Sequence, residues 1–498
     1  MKRLVLVMLV GCGDNLASTC EVVEPAAFTE GVYSDPYAVE LSDCVEGGLA
    51  EIAGRWFVRD TDQFFQFSYP LYEGTCDGGA RIIDLEDQVL PSEDGFRSYQ
   101  QWWDHTRVVT RYYSRFQVGE IDFEYATVEA LCMRADGTLG GRWLRYDNDF
   151  GEETGPLLGT RFDAKDELSR GLELVAEVGT SSLGEPFAGF NVAVEGGIAY
   201  VAGPQGIEIV DVSSPQAPHA MSHVEGMWND VRVVRGETSV VVFGATNSFE
   251  TMYIDVTDPT GPYVAGAVRG ATQFATSHSL QVSGNRLYLA DYTDAVPVFD
   301  ISDPLSPILL GSARVPDSDH GIHDLTVDGE TLFINQTSAG FVALDLGDSL
   351  AKPTLLGRTT SAYSHASAAG TVAGRKLALH GDEGMTGSDG GAFLRVLDGD
   401  PASAGFLSEL GRYQSRPEVG IHNFELIGDR AYIAYYQDGV RVVDLSDPTR
   451  PREVAHYNTW DPATASSGPF SGALGIRVVD GLIYVADSER GLLILREN

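Results

Sequence analysis

The chain of 498 residues carries 72 acidic against 34 basic side chains, a formal net charge of −38, and only four of its residues are lysine. Such a balance argues against nucleic acid as a partner, because phosphate binding needs clustered Lys and Arg, and against docking to anionic lipid through a basic face. The length allows more than one core, and abundant glycine and aromatic residues without a long helical period point to an all-β protein.

Residues 1–12, MKRLVLVMLVGC, open with Lys2 and Arg3 and continue as an apolar run from Leu4 to Val10. This order of charged, apolar and small residues is that of a secretory signal, too short to remain as a transmembrane helix. Its end, Leu9-Val10-Gly11-Cys12, resembles the bacterial lipobox. The resemblance implies cleavage before a diacylglyceryl-modified Cys12, and Gly13 in the next position implies passage to the outer membrane. Residues 13–50 then form a tether and a cysteine-containing segment.

With Cys12 acylated, Cys20, Cys44, Cys76 and Cys132 remain. An even number in an exported chain points to two disulfides with three connectivities, of which the locally nested Cys20–Cys44 and Cys76–Cys132 is favoured. There is no C-x-x-C, which argues against a zinc knuckle or a thioredoxin-like site.

Residues 51–162 contain about eight short alternating strands, as where Ile121, Phe123 and Tyr125 share one face. They predict a small antiparallel β barrel or sandwich. Gly54-Arg55-Trp56 resembles the Gly-x-Trp signature of lipocalin-like barrels, and that resemblance implies a cavity lined by Trp102, Trp103, Tyr112 and Tyr113. The alternation itself reads these four as core. Residues 163–170, DAKDELSR, are charged and lack a β pattern, as in a linker or helical turn.

From 171 to 498 one unit recurs about every 45 residues, a period typical of propellers and solenoids. The clearest copies are GIEIVDVSSPQAPHAMSHV at 206–224, MYIDVTDPTGPYVAGAV at 252–268, VPVFDISDPLSPILLGSA at 296–313 and GVRVVDLSDPTRPREVAHY at 439–457. Worn copies occupy 341–359 and 393–410. Each ends its first strand at an aspartate: Asp211, Asp255, Asp300, Asp345, Asp398 or Asp444. The carboxylates can cap the following turn, while proline presets φ and ends the ladder. An upstream half of strand, glycine hairpin and strand opens at His278, His323 and His422. Four short antiparallel strands per unit make a propeller blade.

Strand endings such as IVDVSSP, VFDISDP and VVDLSDP resemble those of LVIVD-repeat proteins, a group of exported bacterial β-propellers, from about residue 190 to the C-terminus. The last unit, 476–496, stops at its third strand, and Glu173–Val178 has the form of the missing fourth. An N-terminal strand closing the last blade would leave no open edge and gives a seven-bladed β-propeller.

Blade geometry gathers the starts of the innermost strands at one mouth of the channel. His278, His323 and His422 hold equivalent places there, Asn229 and Leu474 take that place in two other blades, and His365 lies near it. Imidazoles converging on a funnel form a metal site, supplemented by His320, Asp319 and Asp317, or serve as a catalytic base, or simply bond to the neighbouring blade's backbone. Repetition at one position favours the last. In residues 380–391, HGDEGMTGSDGG, Asp382, Glu383 and Asp389 offer oxygens for calcium but without EF-hand or RTX spacing, as in an exposed loop. Residues 457–474 add a second long connector at the same mouth, and long loops gathered on one face suit recognition.

No G-x-S-x-G, H-E-x-x-H, P-loop or Rossmann pattern is present. The reading is an outer-membrane, lipid-anchored propeller that binds a protein or glycan at the cell envelope. The alternatives are a metal-dependent enzyme with a His-lined mouth, using a transition metal or calcium, and a structural envelope component. No cofactor is fixed by the sequence.

Overall fold

The computed structural model describes residues 39–47, 56–60, 67–69, 81–86, 96–103, 106–118, 121–147, 151–161, 167–270, 276–318, 320–347, 349–361, 363–383, 392–417, 419–461 and 470–498, as backbone alone at 56–103, 116–118, 121–123 and 158–161. The leader with Cys12, the cysteines Cys20 and Cys76, the Gly54-Arg55 pair, Asp319 and Asp389 lie outside the described residues. Every named element is a strand. Among the described residues no helix is long and apolar enough to cross a membrane. The described residues divide into two compact units near residue 163.

The first unit holds β1 (Trp56–Asp60), β2 (Phe67–Tyr69), β3 (Arg81–Glu86), β4 (Phe96–Trp103), β5 (Arg107–Val118), β6 (Ile121–Met133), β7 (Leu139–Asp147) and β8 (Gly151–Arg161). They form one antiparallel sheet in the order β2-β1-β8-β7-β6-β5-β4-β3, matching the strand number expected. Its core joins Val109, Val128 and Ala130 to Val39 of the N-terminal segment. Tyr113 is buried and donates its hydroxyl to Glu124 Oε1 at 2.9 Å, while Tyr112 meets Tyr125 edge-on at 5.9 Å. The favoured cysteine pairing is corrected: Cys44 bonds Cys132, with Cα atoms 5.5 Å apart. A bridge between Cys44 and Arg134 lays the N-terminal segment beside the end of β6, so the partner near in space is remote in sequence.

The second unit opens with β9 (Ser169–Arg170) and β10 (Leu172–Val178). One sheet holds β11 (Asn191–Glu195), β12 (Ile198–Ala202), β13 (Gly206–Asp211) and β14 (His219–Glu225). The next holds β15 (Asp230–Arg235), β16 (Val240–Ala245), β17 (Glu250–Asp255) and β18 (Tyr263–Arg269). A third has β19 (Ser279–Ser283), β20 (Arg286–Ala290), β21 (Ala295–Asp300) and β22 (Ile308–Arg314). A fourth has β23 (Asp324–Asp328), β24 (Thr331–Asn335), β25 (Phe341–Asp345) and β26 (Thr354–Thr359). A fifth has β27 (Ser364–Val372), β28 (Arg375–Asp382), β29 (Leu394–Asp398) and β30 (Glu409–Tyr413). Then come β31 (Phe424–Ile427), β32 (Arg430–Ala434), β33 (Val440–Asp444) and β34 (Arg452–Tyr457), with β9 added outside β34. Finally β35 (Ala473–Val479), β36 (Leu482–Asp487) and β37 (Gly491–Glu497) take β10 as their fourth strand.

Each sheet is an antiparallel meander, the arrangement of a propeller blade. Two-residue hairpins join the first two strands in six of the seven sheets, β15 and β16 being joined by four residues, and in the last sheet Asp480 and Gly481 both take positive φ, 52° and 78°, the backbone of a type I′ turn. The expected aspartate caps are present: Asp211, Asp300 and Asp444 accept the backbone N–H two residues on at 2.8, 2.8 and 2.9 Å. Strands without alternation are buried on both faces, as in β20, where Leu287 to Ala290 are all buried between sheets. The expected linker is partly corrected. Ser169 and Arg170 pair with Tyr457 and His456, and Arg170 meets Glu453 at 3.0 Å.

Candidate functional site

The start of a first strand, the end of a second, the start of a third and the end of a fourth all lie at one end of an antiparallel blade. His278, His323, His422 and Asn229 each donate the backbone N–H to the last residue of their own second strand: Ala290, Asn335, Ala434 and Ala245. The equivalence read from the repeats is therefore geometric. His365 joins them at a bulge between Ser364 and Ala366.

These side chains form a row. Ring centroids are 4.2 Å apart for His278–His323, 4.4 Å for His323–His365 and 4.6 Å for His365–His422. His323 and His365 are buried, and the end members keep some exposure. Bonds to neighbouring blades hold the row. Asn229 Nδ2 donates to the His278 carbonyl at 2.9 Å, and His422 Nδ1 donates to the Leu474 carbonyl at 2.8 Å. His278 Nδ1 donates instead to Asn247 Oδ1 at 2.8 Å. The ring of His323 lies beside the His365 carbonyl, and that of His365 beside the His422 carbonyl.

Loops between second and third strands supply the cover. Asn247, Tyr292 and Tyr436 each take positive φ, 52°, 55° and 41°, an uncommon backbone for such residues that turns the chain over the row. Tyr292 lies 4.7 Å from His278, and Tyr436 lies 5.2 Å from His422. Glu383, which follows β28, is buried; Tyr436 donates its hydroxyl to Oε1, and Oε2 lies 3.6 Å from His365 Nε2.

Enclosure sets the charge state. Burial pushes His278 down to about 3 and His422 down to about 4. Burial, reinforced by neighbouring imidazoles, holds His323 and His365 well below the ordinary histidine value. Glu383 is pushed up to about 7 by burial, against the opposing Tyr436 hydroxyl. At neutral pH the row is uncharged imidazole, able to accept or donate a hydrogen bond or to ligate, but without the imidazolium proton that a general acid delivers.

Of the expected ligands, His278, His323 and His422 come together, with His365 between the last two. His320 is exposed, its carbonyl accepting from Gln336 at 2.9 Å. Sequence reasoning missed Tyr292, Tyr436 and Tyr363, whose ring meets that of His323 edge-on at 6.0 Å. It weighed Glu383 only as a calcium ligand in a loop.

Further along the first strands a polar cavity of about 190 Å³ is lined by Asn191, Arg232, Gln281, Asp324, Glu425 and Arg477, among others. Arg232 bonds Asp230 at 2.5 Å, and Arg477 pairs with Glu425. Burial pushes Asp324 up to about 7, opposed by the hydroxyl of Ser279.

The chain matches the LVIVD repeat over residues 190–225, 276–315 and 422–459. BamB from Moraxella catarrhalis is 12% identical, with a TM-score of 0.40 over 61% of this chain and 81% of that one. The computationally designed Ika8 protein is also 12% identical, with a TM-score of 0.42 over 64% of this chain and 99% of that one. Sqt1 from Saccharomyces cerevisiae is 10% identical, with a TM-score of 0.45 over 68% of this chain and 100% of that one. Comparison with curated proteins gives no match. With its repeats and four-stranded meanders, the second unit is of the β-propeller repeat type and carries LVIVD repeats.

Proposed function

We propose that the protein is an exported, lipid-anchored binding module at the cell envelope, built as a closed seven-bladed propeller whose loop-bearing mouth receives a protein partner. The leader ending in Cys12 supports export and anchoring. Closure is supported by the pairing of β10 with β37 and by the succession of first strands, in which β11 neighbours both β15 and β35.

One observation carries the binding role. On the loops at the histidine end, Phe249, Met227 and Tyr292 are 57%, 44% and 39% exposed, and Tyr292 rests directly on His278. An aromatic ring seated on a rigid, neutral row, with two more large apolar side chains exposed on loops at the same end, forms a recognition surface. Outer strands favour a second docking surface: Ile308, Leu309 and Leu310 of β22 and Tyr263 and Val264 of β18 are exposed on edge strands that lack the added strand covering β34.

Photo-crosslinking distinguishes the two. A photoreactive residue placed at Phe249 in the full chain, expressed in its own envelope, gives a discrete protein adduct, and one at Leu309 gives none. The reverse pattern moves the docking surface to the outer strands; no adduct at either site defeats the binding reading.

A further inference from the structure

Three side chains at the mouth converge on one point. His323, His365 and Glu383 each present one ligand atom, and these atoms all lie within 4.8 Å of one another. The three residues are 5%, 3% and 8% exposed. The Nδ1 atoms of His323 and His365 are buried with no hydrogen-bond partner, an arrangement native interiors seldom leave without purpose. Their neighbours in the row differ. His278 Nδ1 is engaged by Asn247, and His422 Nδ1 by the Leu474 carbonyl.

We propose that His323, His365 and Glu383 form a divalent transition-metal site in the propeller mouth. Two imidazoles and one carboxylate are a donor set for zinc, cobalt, nickel or manganese; calcium prefers an all-oxygen shell, so this set selects against it. Glu383 is divided in the manner of a ligating carboxylate, with Tyr436 donating to one oxygen while the other faces His365. Tyr436 is therefore a positioning residue for the carboxylate. His278 and His422 pack on either side as walls, not ligands. Three protein donors leave coordination positions for water or for a group on a bound molecule. The ligand set thus differs from the His278, His323 and His422 set that the repeat positions alone propose.

The test uses the full mature chain, stripped of metal and titrated with Co²⁺ alone, read by visible absorption and by calorimetry. One Co²⁺ binds per chain with a ligand-field spectrum of mixed nitrogen and oxygen donors. Glu383→Gln and His365→Gln each weaken binding by about 100-fold or more, and Tyr436→Phe by about 10-fold, the scale of outer-shell partners. His422→Asn keeps both the stoichiometry and the spectrum. The wild-type spectrum needs no variant, so the site stays testable where a substitution unfolds the blade. Absence of stoichiometric Co²⁺ binding by folded wild type overturns the site. Equal loss in His422→Asn and Glu383→Gln, with both melting like wild type, overturns the ligand set.

Discussion

Asn229 and His278 head neighbouring inner strands, and the Asn229 carboxamide donates to the His278 carbonyl at 2.9 Å. Asn229 sits where other blades carry histidine, so interlocking adjacent blades does not require an imidazole. The bond runs between first strands of consecutive sheets, where a lost donor strands a carbonyl near the channel. Asn229→Ala is therefore expected to destabilise the second unit by about 1–3 kcal/mol. Urea denaturation followed by tryptophan fluorescence measures it. A midpoint equal to wild type would mean that water satisfies the carbonyl and the interlock contributes nothing.

The strand proposed to close the ring gives a second prediction. β10 pairs with β37 from Leu172↔Glu497 to Val178↔Leu492, with Leu172 and Val178 buried. Deleting Leu172–Val178 removes two buried side chains, about 3–6 kcal/mol together, and bares the edge of β37. Calorimetry should show the propeller transition falling steeply. An unchanged transition would show that β10 does not close the ring.

Much of this architecture was legible because its causes are local. Asp300 reads as a turn cap from its Ser-Asp-Pro sequel, and its Oδ1 accepts the Ser302 N–H. His278, His323 and His422 were placed correctly because each follows from the register of one hairpin. His365 could be placed only near that position, because a bulge at Ser364 and Ala366 breaks the register. Glu383 and Tyr436 escaped because their meeting depends on loops from consecutive sheets, a relation with no period in the chain. The short pairing of Ser169 and Arg170 with β34 was invisible for a simpler reason: two residues cannot display alternation.

The disulfide was misread through the same preference for local partners. Cys44 and Cys132 are 88 residues apart in sequence, and linking them constrains the unfolded chain strongly. Cys44→Ser should destabilise the first unit by about 2–4 kcal/mol and leave the propeller transition in place. Peptide mapping without reduction should yield a fragment joining the Cys44 and Cys132 peptides. A fragment joining Cys76 to Cys132 instead would restore the nested pairing.

His380 makes stability depend on pH in a direction that can be worked out. Its ring is buried, stacked on Phe341 at 4.8 Å, with Nε2 and Ser364 Oγ 2.9 Å apart and Asp382 Oδ1 3.9 Å away. Burial pushes it down to about 3, with Arg395 adding to the effect. In the unfolded chain the same imidazole titrates near ~6.5. The unfolded state therefore binds the extra proton between the two values. The stabilisation is fully present above pH ~6.5 and is lost as pH falls toward 3, at about 1.4 kcal/mol per pH unit. His380→Gln keeps a polar partner for Ser364 and cannot titrate. Its unfolding free energy should decline less steeply than wild type between pH 6 and 4, by about 1.4 kcal/mol per unit. Parallel slopes for the two proteins would mean that His380 takes up its proton while still folded, with Asp382 as the counter-charge.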